Sequence, residues 1–353
     1  MDKSETIIDQ DQPVRILNTL FEKNTIPHAL LFTGLAGVGK LATANAFALT
    51  CNCTGLTAAK SIQSSEGTHP PIATRSPTVL ASCGSCSSCR KILTGNHPDI
   101  LLVKPAGQYI KIAQIRHLIE MLALKPYEAR LRVVIIAEAQ ALNPSAANAL
   151  LKMLEEPPDR TLLILTTQQK TDVLPTVASR CQIIRFKPVS RESITAELTE
   201  NHGVSPGDAK VLSVMAAGSI LRAIELHRMG WLCHRNWLLA ATGFEKMEKY
   251  DELPTNVLLA FAEKMVARKA QVTISLETML IWLRDLIVCR HDSDRVINID
   301  LIDKLKKLSQ KIPETVLLKK MEIISAAQKK IEANANLRLT LEVMMLKLAY
   351  ADS

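Results

Sequence analysis

A parallel three-layer α/β domain followed by helical regions is the fold class this sequence predicts, on three observations. Short apolar runs alternate with amphipathic stretches through about residue 187. The first of those runs leads into a glycine-rich loop at residues 34–41. After Pro188 the strand signal stops and helical periodicity takes over.

Ala29–Thr33 is a continuous apolar run, as expected of a strand covered on both faces. A helix is predicted from about Lys40 to Leu49, where Leu41, Ala42, Ala44, Ala46 and Ala48 are good helix formers. Asp99–Val103, Arg132–Ile136, Thr161–Thr166 and Gln182–Phe186 supply four more strands. Helical patterns between them cover Ile112–Leu124 and Ala146–Leu154, the second with Asn143 as its cap and Pro144 at its first helical position. Residues 55–82 interrupt this order. They are rich in Ser, Thr, Ala and Pro and read as a tolerated surface insertion. Residues 189–228 read as short helices, broken at 203–206 and restarted at Gly218-Ser219. From about residue 231 long helices are predicted over 254–271, 273–290, 298–311, 313–332 and 336–350. In the last, Leu337, Leu341, Met344, Met345 and Leu348 mark one face for burial.

The chain has 353 residues, enough for two or three domains, and its 47% hydrophobic content is ample for buried cores. It has no uninterrupted apolar run of the roughly 18–20 residues that a membrane span needs. The polar N-terminus lacks a secretory pattern, so a cytoplasmic protein is expected. Net charge of +8 allows contact with nucleic acid or acidic partners and equally suits a solvated surface. Aromatic content of 4% argues against a base-stacking platform.

Residues 34–41 read Gly-Leu-Ala-Gly-Val-Gly-Lys-Leu. Gly34, Gly39 and Lys40 fit the phosphate-loop pattern G-x-x-x-x-G-K-[ST], but Leu41 fails its last position, where a hydroxyl would bind Mg²⁺. The strand Val133–Ile136 ends in Ala137, followed by Glu138, where an Asp would complete the metal shell. With two metal positions apolar, this is read as a nucleotide-hydrolysing fold that has lost hydrolysis.

Cys83, Cys86 and Cys89 form a C-x₂-C-x₂-C run, a spacing that wraps one tetrahedral Zn²⁺ given a fourth ligand. Cys53 is the preferred fourth, with Cys51, His69 and His97 as rivals. An iron–sulfur cluster is the chemical alternative, although the C-x₃-C-Pro continuation of a ferredoxin run is absent. Cys181, Cys233 and Cys289 are isolated among apolar residues and read as packed core thiols.

Taken together, three segments resemble the bacterial clamp-loader subunits of the AAA+ family. They are Ala29–Lys40, the four-cysteine insertion ending in Asn96-His97-Pro98-Asp99, and Asn148–Pro158 with its Glu155-Glu156-Pro157-Pro158. Ser179-Arg180-Cys181 and the stretch from Asn336 to Glu342 add to the likeness, which runs from about residue 12 to the last helix. The resemblance is to the branch without motor activity, because the motor subunits keep both the loop hydroxyl and the Asp-Glu pair.

The resemblance implies an AAA+ domain over 1–187 with a zinc-binding insertion at about 53–89, a helical lid over 188–230 and an all-helical collar over 231–353. It implies Gly34, Gly37, Gly39 and Lys40 as a relic phosphate loop and Cys53, Cys83, Cys86 and Cys89 as zinc ligands. Glu138 matches the motor's water-activating glutamate, and Thr166 or Thr167 stands where γ-phosphate is sensed. Leu221 falls at the second sensor's arginine position, with Arg222 one step later. ATP binding is thereby left open, and Mg²⁺ is not expected. Arg180 is the implied arginine finger, donated in trans to a neighbouring ATP; on the residues alone it would pair with a local carboxylate. Implied partners are gamma/tau and delta subunits in a hetero-oligomeric ring, the sliding clamp and primed DNA. The rival functions are an active ATPase with substitute metal ligands and a zinc-dependent DNA-binding module.

Overall fold

The computed structural model describes residues 7–55, 80–242, 244 and 255–349. Most of the 55–82 tract, including His69, lies outside the described residues. The chain divides into two compact units, Met1–Ile194 with Ala217–Arg222, and Thr195–Ala216 with Ala223–Ser353.

The first unit is built on five strands: β1 (Ala29–Thr33), β2 (Ile100–Val103), β3 (Arg132–Ile136), β4 (Thr161–Thr167) and β5 (Gln182–Arg185). They pair in parallel in the order β2-β3-β4-β1-β5. β1, β3 and β4 are buried along their whole length, as unbroken apolar runs require in a sheet with both faces covered. Because side chains alternate along a strand, Leu30, Phe32, Val133, Ile135, Leu162 and Ile164 form one face, which packs on helices α1 (Asp11–Glu22) and α2 (Lys40–Asn52). Leu31, Val134, Ile136, Leu163 and Leu165 form the other, against the helices Ile112–Ala123 and Pro144–Glu155. The Asn143 cap is present, its Oδ1 accepting from the Ala146 N–H at 2.8 Å.

Two buried side chains fasten the loop that enters β3. Asp99 accepts the N–H groups of Tyr127, Glu128 and Ala129 at 2.8–3.0 Å and pairs with Arg132 at 3.4 Å. Burial alone would raise the Asp99 carboxyl's pKa; these donors and Arg132 outweigh it and hold the group below the usual carboxylate range. Asn52, at the end of α2, accepts from the N–H groups of Arg130 and Leu131 and donates to the Leu131 carbonyl.

In the second unit, Leu276, Trp282 and Leu286 of the helix Val272–His291 lie in one core with Leu317, Ile324, Leu341, Met344, Met345 and Leu348. The expected helices are present with shifted ends, and one was not anticipated, Trp231–Thr242. On that helix Arg235 is only 2% exposed and binds Asp300 and Asn298. One cysteine expectation needs correcting. Cys181 is buried and Cys289, half-buried, packs against the core of the second unit, but Cys233 is exposed on its helix.

Candidate functional site: a phosphate loop and a cysteine cluster at opposite ends of one helix

The loop between β1 and α2 has the shape a phosphate cradle needs. Gly34, Gly37 and Gly39 have φ of 149°, 75° and 99°. A Cβ on Gly37 would lie 2.3 Å from Ser219 Oγ and 2.8 Å from Leu221 Cβ, so glycine is required there. The helix that follows starts on Gly39 without a side-chain cap. Its first N–H groups have no intrahelical partner and point toward the place a phosphate would occupy.

The cavity beside this loop has a volume of about 450 Å³ and is lined by Gly37, Gly39, Lys40, Leu41, Ala137, Glu138, Gln140, Thr166, Thr167 and Leu221, among others. Sheet order explains the gathering. β4 lies beside β1, so Thr167 registers with Thr33 at the strand ends, and β3 delivers Ala137 and Glu138 one strand further out. The Glu138 N–H donates to Thr166 Oγ1 at 3.1 Å, with Glu138 held in the left-handed region at φ 56°.

Both expected metal positions are aliphatic and face this cavity, Leu41 at the start of α2 and Ala137 at the end of β3, the latter 7% exposed. Lys40 turns its ammonium back onto its own loop, donating to the carbonyls of Gly34 and Leu35 at 2.5 Å each. Burial lowers its pKa to about 8, against an opposing pull from Glu138. Leu221 lines the cavity, its N–H donating to the Gly37 carbonyl at 3.3 Å; Arg222 is not among the lining residues.

At the other end of α2, Cys53 is the residue that leaves the helix. Its sulfur and those of Cys83, Cys86 and Cys89 all lie within 4.8 Å of one another. A tetrahedral zinc with Zn–S bonds of about 2.3 Å needs sulfurs just under ~4 Å apart, so the set fits with small adjustment. Three N–H···S contacts run through the cluster: Cys83 N–H to Cys53 Sγ, Cys86 N–H to Cys83 Sγ and Cys89 N–H to Cys86 Sγ, at 3.2–3.4 Å. Burial opposes ionisation of Cys86, but contacts with Thr54 and Cys89 bring its pKa down to about 5. Burial holds the Cys89 thiol up. A donor set in which backbone N–H groups favour thiolate is suited to a metal.

The rivals stand apart. Cys51 belongs to the sheet core, where burial pushes its thiol up to about 12. His97 is buried, with Nδ1 accepting the Asp99 N–H and Nε2 3.7 Å from Glu128.

Arg180 lies between the short helix Pro175–Ala178 and β5. Its side chain is 37% exposed, forms an ion pair with Glu155 at 2.7 Å and donates to the Thr176 carbonyl at 2.9 Å. It is not among the residues lining the cavity.

A glycine loop after a central parallel strand, with Thr166 and Thr167 at the end of the strand beside it, defines a P-loop domain of the AAA+ class. Residues 9–190 match the family model described as DNA polymerase III, delta subunit, and residues 245–349 match the one described as its C-terminal part. The chain is 30% identical over 346 residues to DNA polymerase III subunit delta′ of Bacillus subtilis, covering 96% of each. It is 32% identical over 207 residues to subunit delta′ of Pseudomonas aeruginosa, covering 58% of this chain and 56% of that one. To subunit tau of Bacillus subtilis it is 24% identical, with 98% of this chain matched to 61% of the relative. The chain belongs to the delta-subunit family of DNA polymerase III, within it to the delta′ subunits.

Proposed function

We propose that this chain is a non-hydrolysing clamp-loader subunit that lends Arg180 to the ATP site of a neighbouring subunit. The observation that carries the reading is the cavity beside the phosphate loop, where Leu41 and Ala137 stand at both metal positions. Neither side chain has a lone pair to offer Mg²⁺, and without the metal the charge developing on a transferred phosphoryl group is left unneutralised. Glu138 then has no metal-aligned water to activate. Gly34, Gly37, Gly39 and Lys40 remain as the frame of the loop, and Lys40 bound to its own carbonyls supports a structural part for it.

Arg180 is the group with chemistry to offer. Its guanidinium is always charged and is partly exposed outside the chain's own cavity, as donation in trans requires. In GTPases a finger supplied in trans accelerates turnover by roughly 10³–10⁵. Family membership supports a hetero-oligomeric ring with gamma/tau and delta subunits that loads the sliding clamp on primed DNA in the cytoplasm. Residues 1–187 would then form the AAA+ domain, 188–230 the lid and 231–353 the collar. Cys53, Cys83, Cys86 and Cys89 would hold one Zn²⁺, which supplies a structural crosslink between the end of α2 and the helix Ser87–Leu93.

The test is reconstitution with gamma/tau and delta subunits, with Arg180→Ala compared with wild type. The expected result is normal assembly with DNA-stimulated ATP hydrolysis at the adjacent site at least ~10²-fold slower. Unchanged hydrolysis would refute the finger, and turnover by the purified chain that Lys40→Ala abolishes would refute the non-hydrolysing reading.

A further inference from the structure

We infer that Glu155 is a positioning residue for Arg180, holding the guanidinium in place before it meets a partner's phosphate; this rests on the finger reading above. The two residues are 25 positions apart in the sequence and are brought together by the fold: Glu155 ends the helix Pro144–Glu155, and Arg180 directly precedes the Cys181–Gln182 entry to β5.

Glu155 stands where a helix disfavours an acid. The last turn carries the negative end of the macrodipole, and a second carboxylate, Glu156, follows immediately. Pro157 and Pro158 stop the chain from continuing as helix, with Glu156 at φ −123° and ψ 73°, so the backbone of the last turn, from which Glu155 projects, has a defined end. An acid placed against local preference, at a rigidly ended helix, has its compensation in the Arg180 cation 2.7 Å away.

Stability does not account for the pair. Both side chains are substantially exposed, 37% and 51%, and ion pairs in such surroundings contribute little to folding. Geometry accounts for it better. Arginine has five N–H donors, and this one meets Glu155 through Nη2 and the Thr176 carbonyl through Nη1. Two anchors on its own chain fix the long side chain and leave donors over for another anion. A finger already ordered gives up less rotamer freedom when it reaches the transferring phosphate, so the contribution falls on the chemical step rather than on nucleotide affinity.

The experiment uses the reconstituted complex with five versions of this subunit: wild type, Arg180→Ala, Glu155→Ala, Glu155→Gln and the double alanine variant, each first shown to co-elute with its partners. Steady-state ATP hydrolysis is measured with primed DNA and clamp present. Glu155→Ala is expected to lower kcat about 5-fold with KM for ATP unchanged, and Glu155→Gln, which keeps an acceptor oxygen, to recover to within about 2-fold of wild type. The double variant is expected to match Arg180→Ala alone, because Glu155 acts only through that arginine. Three results would overturn the inference while the finger stands: wild-type kcat in Glu155→Ala, a raised kcat in that variant, or a double variant slower than Arg180→Ala. Wild-type turnover in Arg180→Ala would remove the finger itself, and this inference with it.

Discussion

Helix α2 begins at a glycine loop whose two expected metal positions, Leu41 and Ala137, are aliphatic and ends at Cys53, one corner of a four-sulfur cluster. Lys40 and Asn52 bound a helix of 13 residues, yet the two ends differ in what their side chains can coordinate. At the first the backbone shape is intact: three glycines with positive φ and an uncapped helix start. What is missing is side-chain chemistry, because Leu41 and Ala137 present carbon where a metal needs oxygen. At the second the donor chemistry is complete, with four sulfurs mutually within 4.8 Å and N–H groups aimed at three of them. Backbone shape alone does not make a metal site; the ligand atoms do.

The comparison can be broken most forcefully at the cysteine end. Cys86→Ser is expected to reduce bound zinc from about one equivalent to below roughly 0.2 after dialysis against a chelator, and to lower the thermal midpoint by roughly 5 °C or more. A full equivalent retained in that variant would contradict the ligand set. At the other end, Leu41→Thr combined with Ala137→Asp replaces the missing oxygens. The double variant is expected to bind a fluorescent ATP analogue at least ~10-fold more tightly with Mg²⁺ than without it. Equal affinity in the two conditions would mean that the loop lacks more than its metal ligands.

The smallest expected effect is electrostatic. Lys40 has a folded-state pKa lowered from 10.5 to about 8, so the folded chain sheds that proton before the unfolded chain does. Between those two values the unfolded state binds more protons, and stability contributed by this group rises with pH. Wild type should therefore gain on Lys40→Met in urea midpoint as pH increases through that window; a difference that stays flat would show that the amine is not desolvated.

Much of this was legible in the sequence, and the failures have physical causes. Strand Ala29–Thr33 and strand Arg132–Ile136 are found as expected, because a buried parallel strand is an unbroken apolar run with sharp ends. The Cys83–Cys86–Cys89 spacing pointed to one cluster, but spacing could not choose between Cys51 and Cys53. That choice depends on where α2 ends: Cys51 is still in the helix and turned into the core, while Cys53 is free of it. The helix Trp231–Thr242 was hidden by Arg235, a charge that reads as a solvent position and is in fact buried on Asp300 and Asn298. The arrangement around Arg180 was only half visible. A local carboxylate was foreseeable, but nothing in the sequence pairs Arg180 with Glu155 rather than another acid, since that pairing is made by the fold.

The loop ahead of β3 carries one more implication. Its amides from Tyr127 through Leu131 are all committed to two side chains, Asp99 and Asn52, while the Tyr127 side chain projects outward and the residue is 84% exposed. Freezing a backbone residue costs about 1–2 kcal/mol of conformational entropy. Here that loss has already been taken within the fold, so the exposed tyrosine stands on a preordered base, and its ring can be met without the backbone having to settle first.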